Sequence, residues 1–130
     1  MFRLVKILNN NTAAEILLIP KKPDASYVRG EALVCQNGTA ATPSATSVPE
    51  YIFVSVNHNH RSDKINVQAV TEDSIFKVEY TGTITPYIGM SVGLSTKILR
   101  MDAVTYNTSG KGTVVGVDDD KSFVYVRFRK

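Results

Sequence analysis

Read only for apolar and polar positions, the chain alternates with a period of two almost from end to end. In IFKVEY, Phe76, Val78 and Tyr80 fall on one side of an extended backbone, and Lys77 and Glu79 on the other. That pattern predicts a half-buried strand. YIFVSV (Tyr51–Val56) and INVQAV (residues 65–70) are rich in the β-branched and aromatic side chains that pack well on a pleated surface. GTVVGV and KSFVYVRF flank the acidic triplet Asp118, Asp119, Asp120 and read as a C-terminal hairpin. FRLVKIL and EILLIP, on either side of NNNTAA, read as a first pair of strands. GEALV, entered through Gly30, and GMSVGLS read as two more. Helical spacing is weak: STKILRMDAV brings Ile98, Leu99 and Met101 together, enough for at most one turn.

Two stretches interrupt the alternation. Residues 37–50, NGTAATPSATSVPE, hold almost no large apolar side chain and contain Pro43 and Pro49, which predicts a long exposed loop. Residues 20–26, PKKPDAS, read as a shorter connector of the same kind. Neither leaves a flank long enough to fold alone, and no internal repeat is visible. The expectation is an all-β chain, a single domain over residues 1–130, folded as a β-sandwich or partly closed β-barrel of about eight to ten short strands.

Composition narrows the function more than the fold. A chain of 130 residues is the size of one domain and needs no disulfide or metal to fold. With Cys35 as the one cysteine, an intrachain disulfide is impossible and a cysteine-based zinc site is excluded. The 15 basic and 12 acidic residues are balanced and scattered, unlike the clustered basic face of a nucleic-acid binder. Arg3 and Lys6 precede an apolar stretch that Asn9, Asn10 and Asn11 interrupt, so a signal peptide is not expected. No segment reaches the roughly 20 apolar residues of a membrane span. The Asn-x-Ser/Thr triplets at Asn10, Asn37 and Asn107 then carry no meaning.

The stretch with the most visible chemistry is NHNHRSDK, which holds both histidines, His58 and His60, with Asp63 close behind. Between two apolar strands it reads as a polar hairpin tip. A metal site would need further ligands, and Asp63, Glu31 and Glu72 are candidates that nothing in the sequence selects. Cys35 in ALVCQ continues an apolar strand and reads as a small buried or half-buried residue, without the base a Cys-His nucleophile requires. Asp118, Asp119 and Asp120 lack the alternation, central glycine and terminal glutamate of an EF-hand. GKGTVVG around Lys111 lacks the phosphate-loop pattern and precedes a strand. Arg127, Arg129 and Lys130 form a small basic patch at a strand end. No catalytic, cofactor-binding or metal residue is assigned.

The order of motifs says more. FRLVKILNN with TAAEILLIP, then SYVRGEALV, TSVPEYIFVSV, VTEDSIFKVEYTG, YIGMSVGLS and the closing TYNTSGKGTVVGVDDDKSFVYVRF resemble, over nearly the whole chain, the small head decoration (auxiliary capsid) proteins of tailed bacteriophages and prophages. The resemblance implies a non-enzymatic cement protein with no cofactor. It would bind the major capsid protein on the outside of the expanded head shell as a symmetric homo-oligomer, commonly a trimer. It would be a virion component assembled in the host bacterial cytoplasm, with no nucleic-acid, membrane or small-molecule partner.

For such a role, the expected contact residues are Phe2, Arg3, Leu4 and Lys6, helped by Lys21 and Lys22, with residues 1–8 as a candidate arm. A terminal strand with one apolar and one basic face suits addition to a sheet edge, either its own or a neighbour's. Three other functions compete. A small β-barrel nucleic-acid module would need exposed aromatics interleaved with basic residues, which Tyr51 and Phe53 lack on their strand. A metal-dependent enzyme of cupin-like architecture would need stoichiometric metal. A phage tail or fibre subunit remains as a different structural part.

Overall fold

The structure, a computed structural model, describes residues 1–7, 16–56, 63–97 and 100–129, apart from the side chains of Lys6, Ile7 and Val56. Its described residues form eleven strands and no helix: β1 (Arg3–Ile7), β2 (Ile16–Pro20), β3 (Ala32–Gln36), β4 (Thr39–Ala41), β5 (Tyr51–Val56), β6 (Lys64–Ala69), β7 (Ser74–Tyr80), β8 (Ser91–Ser95), β9 (Ala103–Tyr106), β10 (Gly112–Val117) and β11 (Phe123–Phe128). The all-β expectation holds. Ile98 and Leu99 of the weakly helical stretch lie outside the described residues, and Arg100 and Met101 after them form a bend.

One sheet runs β1-β7-β11-β10-β8-β9, and β9 also pairs in parallel with β7, so β7 to β11 close into a five-stranded barrel with β1 added at its rim. The other runs β2-β6-β5-β3-β4, and a single parallel bridge from Lys21 to Ala40 brings its two ends together. The two orders are the same once each unit is counted from its own first strand. Both run first, fifth, fourth, second, third, and then back to first through a parallel contact.

The match extends to individual residues. In β5 and β6, Phe53 faces Val67 and Ser55 faces Asn66, with Val54 bulged out between them; in β10 and β11, Val114 faces Val126 and Gly116 faces Tyr125, with Val115 bulged out. Ala32 opposite Ile52 and Leu33 opposite Tyr51 repeat as Ser91 opposite Thr113 and Val92 opposite Gly112. The Lys21–Ala40 bridge repeats as Tyr80 opposite Val104. The turns before β3 and β8 repeat as well. Glu31 N–H donates to Val28 O and Met90 N–H to Tyr87 O, each at 3.0 Å, with Gly30 at φ 81° and Gly89 at φ 94° in the third position, where only glycine turns without strain. Gly30 N–H then donates to Phe53 O and Gly89 N–H to Val114 O. The chain is therefore two copies of one barrel plan in tandem, a repeat that side-chain identity had hidden.

Alternation explains which faces turn inward. Ile19, Leu33, Ala40, Phe53, Ile65 and Val67 fill the first barrel, with Tyr27 stacked on Phe53 at 5.4 Å between ring centroids. Phe76, Val78, Met90, Val92, Leu94, Val104, Val114, Val124, Val126 and Phe128 fill the second. Ala32 and Ile52, on the opposite face of the first barrel's strands, join this second core, as does Phe2, whose ring meets Phe76 edge-on at 6.1 Å. The two barrels thus share a dry seam, and Ala32 N–H donates to Met101 O across it.

Residues 42–50 form the expected loop, mostly exposed, and residues 37–41 differ from it. Asn37 and Gly38, both with positive φ, make a two-residue hairpin turn between β3 and β4, the turn that the Asn-Gly pair favours. Ala40 of β4 is buried. After β4 the chain crosses to the second barrel, where Ala45 O accepts from Leu94 N–H at 2.9 Å and Pro43 and Pro49 are buried.

Candidate interaction surface

The expected contact segment is tied into the chain's own fold. β1 pairs with β7, Arg3 opposite Lys77 and Leu4 opposite Phe76, and Phe2 N–H donates to Gly30 O. Phe2 is 3% exposed, so it is a core residue and cannot be a contact. Arg3 is exposed and Leu4 half-buried, and the Lys6 side chain lies outside the described residues. Lys22 is exposed, and its N–H donates to Tyr27 Oη, while Lys21 is half-buried at the seam bridge. The six residues expected together are thus spread over a rim strand and the far end of β2. Sequence reasoning separated Phe2 from its true role only by the apolar face it shares with Leu4, which an arm and a core strand satisfy equally.

Large apolar side chains left in water point to a different surface. Val5 on β1 and Ile16 and Leu18 on β2 are each 52% exposed. A second group, Ile84, Tyr87 and Ile88, stands on the connection between β7 and β8, with the Tyr80 hydroxyl donating to Ile84 O at 2.6 Å from inside the barrel. The matching connection in the first barrel, residues 21–31, is polar: Arg29 stands where the second barrel has Ile88. These exposed apolar groups, set on rims, are the candidate interaction surface of the chain.

The candidate chemistry disperses. His58 and His60 lie outside the described residues, and among the described residues no three His, Cys, Asp or Glu side chains come together as a metal site. Cys35, expected buried or half-buried, is exposed, because β3 runs past the first barrel's core at its far end. Asp118 meets Lys77 at 3.5 Å. Arg127 is drawn back onto the link between the barrels, where it donates to Glu72 O and meets Asp73 at 3.2 Å. Glu31 is the unexpected residue. It is fully buried at the seam, where Oε1 accepts from Val28 N–H at 2.7 Å and Oε2 has no partner among the described residues. Burial pushes its carboxyl above the usual carboxylate range, against the pull of the Val28 N–H and Arg100. The second barrel has Met90 at this position.

The clefts are open rather than enclosed. One of them, about 660 Å³, runs between the barrels past Leu17, Tyr51, Val70 and Phe128. Comparison with protein families, with curated proteins and with solved structures gives no match for this chain.

Proposed function

We propose that the chain is a non-enzymatic structural subunit, a decoration or cement protein that binds the major capsid protein on the outer surface of a tailed-phage head and stabilises the shell. The observation that carries this reading is the union of two closed barrels on a shared core with apolar side chains exposed at strand rims, in a chain whose motif order resembles that class. A cement protein works by holding shape under load. Barrels that close on themselves leave few ladder ends to fray. Exposed Val5, Ile16, Leu18, Tyr87 and Ile88 supply contact area that a monomer in water has no use for. Each contact can be weak, because many copies on one symmetric shell act together.

The site of action on this reading is the virion exterior, with assembly in the host cytoplasm. The test is co-sedimentation of the purified chain with expanded heads. Saturable binding at a fixed ratio of chain to capsid protein, with heads that then survive heat or chelator treatment better, is the expected result. Heads that pellet without the chain at every ratio would sink the reading.

A further inference from the structure

Among the described residues, open sheet edge remains on β1, on β2 and on β4, which meets β2 through one bridge. β1 is paired there on one side only, with β7. β2 is paired with β6 along its length, while on its other side only the Lys21–Ala40 bridge holds it. Ile16, Leu17 and Leu18 therefore present a free main-chain edge among the described residues. In the second barrel the matching edge is covered. Leu17 and Leu18 correspond to Phe76 and Lys77, since Leu17 opposes Val67 as Phe76 opposes Val126, and β1 lies along those two residues. The same strand of the same barrel is dressed in one unit and bare in the other.

The side chains agree. Ile16, Leu18 and Val5 are among the most exposed large apolar residues of the chain. β2 carries no charge from Ile16 to Pro20, although solvated edge strands ordinarily use Lys to discourage pairing. Within one chain the two strands do not pair, and Leu4 and Ile16 only line the same open cleft of about 340 Å³.

We propose that the free edge of β2 in one copy accepts β1 of a second copy, antiparallel, so that β1 is shared between β7 of its own chain and β2 of its neighbour. The occupant is identified by what already sits on the equivalent edge, the segment Arg3–Ile7 itself. The new ladder continues the existing β7–β1 pairing outward, so an interface already built is extended rather than a new one made. Each copy offers one β1 and one β2, so the contact closes either reciprocally, as a two-fold dimer, or head-to-tail, as a ring. This names the surface behind the homo-oligomer of the proposed function and rests on that reading for its purpose, though not for its geometry.

The test is sedimentation velocity with light scattering on the full chain, beside an Ile16→Lys/Leu18→Lys variant. The wild type is expected to form one closed oligomer, a dimer or a larger ring. The variant, with unchanged circular dichroism and melting temperature, should associate roughly tenfold more weakly or worse. Should the variant fail to fold, a Val5→Cys/Leu18→Cys pair in a Cys35→Ala background decides, with oxidation expected to link chains to one another. A wild type that stays monomeric, or stops at a β2-on-β2 dimer, overturns the proposal. So does a variant that assembles normally or a cysteine pair that closes only within one chain. Co-sedimentation with heads separates the two readings. Heads that bind wild type while the lysine variant assembles as before sink the β1–β2 pairing alone, and a β2-dependent oligomer that ignores heads sinks the capsid reading alone.

Discussion

Position for position, the first barrel carries Leu17, Glu31, Cys35, Ala40 and Ala69 where the second carries Phe76, Met90, Leu94, Val104 and Phe128. Strand order, turns and bulges are kept, while apolar volume falls at these places and rises at others, where Ile19, Leu33, Phe53 and Ile65 stand for Val78, Val92, Val114 and Val124. Backbone hydrogen bonds therefore specify the plan, and side-chain volume sets how tightly each copy is filled. The seams differ as well, a lone bridge at Lys21–Ala40 against two paired residues where Glu79 and Tyr80 meet Ala103 and Val104. The first barrel gives Ala32 and Ile52 to its neighbour's core, so part of its apolar burial lies between the barrels rather than inside it.

The comparison breaks most readily at Phe76. Phe76→Ala should cost about 3–5 kcal/mol, whereas Leu17→Ala at the matching, half-buried place should cost about 1–2 kcal/mol. Urea unfolding of both variants measures this, and equal losses would mean that the barrels are equally filled after all. The two turn glycines come next. A Cβ on Gly30 would collide with Met1, while one on Gly89 meets open space. Gly89→Ala is expected to cost roughly 1 kcal/mol for its positive φ alone, and Gly30→Ala roughly 2–3 kcal/mol.

Glu31 gives a smaller, pH-dependent effect. Its folded-state affinity for a proton is raised, so between the unfolded and folded pKa values the native state holds the extra proton and stability falls as pH rises. Glu31→Gln keeps an acceptor for the Val28 N–H and removes the charge. It should raise stability at neutral pH by about 1–2 kcal/mol and flatten the decline that the wild type shows above the ordinary carboxylate range. Thermal melts from pH 4 to 8 check it, and a wild type whose stability climbs over that window would contradict the assignment. The smallest effect belongs to the two histidines. Replacing His58 and His60 with Ala should shift stability by no more than about 0.5 kcal/mol and leave metal content unchanged, read by melting and elemental analysis.

Much of the strand content was legible in the sequence, because alternation in IFKVEY, YIFVSV and FVYVRF reports a one-sided environment directly. The repeat was not, because the two copies share few identical residues, Gly30 with Gly89, Val54 with Val115 and Val67 with Val126 among them. What the copies share is register, which a single chain does not spell out. Ala40 and Ala41 are poor strand formers, and residues 39–41 are held as β4 by the Asn37–Gly38 turn before them. The bare rim of β2 was hidden for the opposite reason. ILLIP is apolar at every position, so nothing in it says which side chains face water. Glu31 gave no signal either, since a glutamate at a strand entrance usually stays in solvent.

The pairing of β1 with β7 also sets a timetable for synthesis. The strand that leaves the ribosome first waits for Ser74, Ile75, Phe76 and Lys77, made roughly seventy residues later, which at about 5–20 residues per second is roughly 4–14 seconds. The first barrel, complete in sequence at Ala69, can begin to close while the second is still being made. Phe2 cannot be placed until the second barrel exists to receive it. A stall in translation between the two barrels would therefore produce a partly folded first half trailing an uncommitted apolar-basic strand, which is the species to look for when the chain is made slowly.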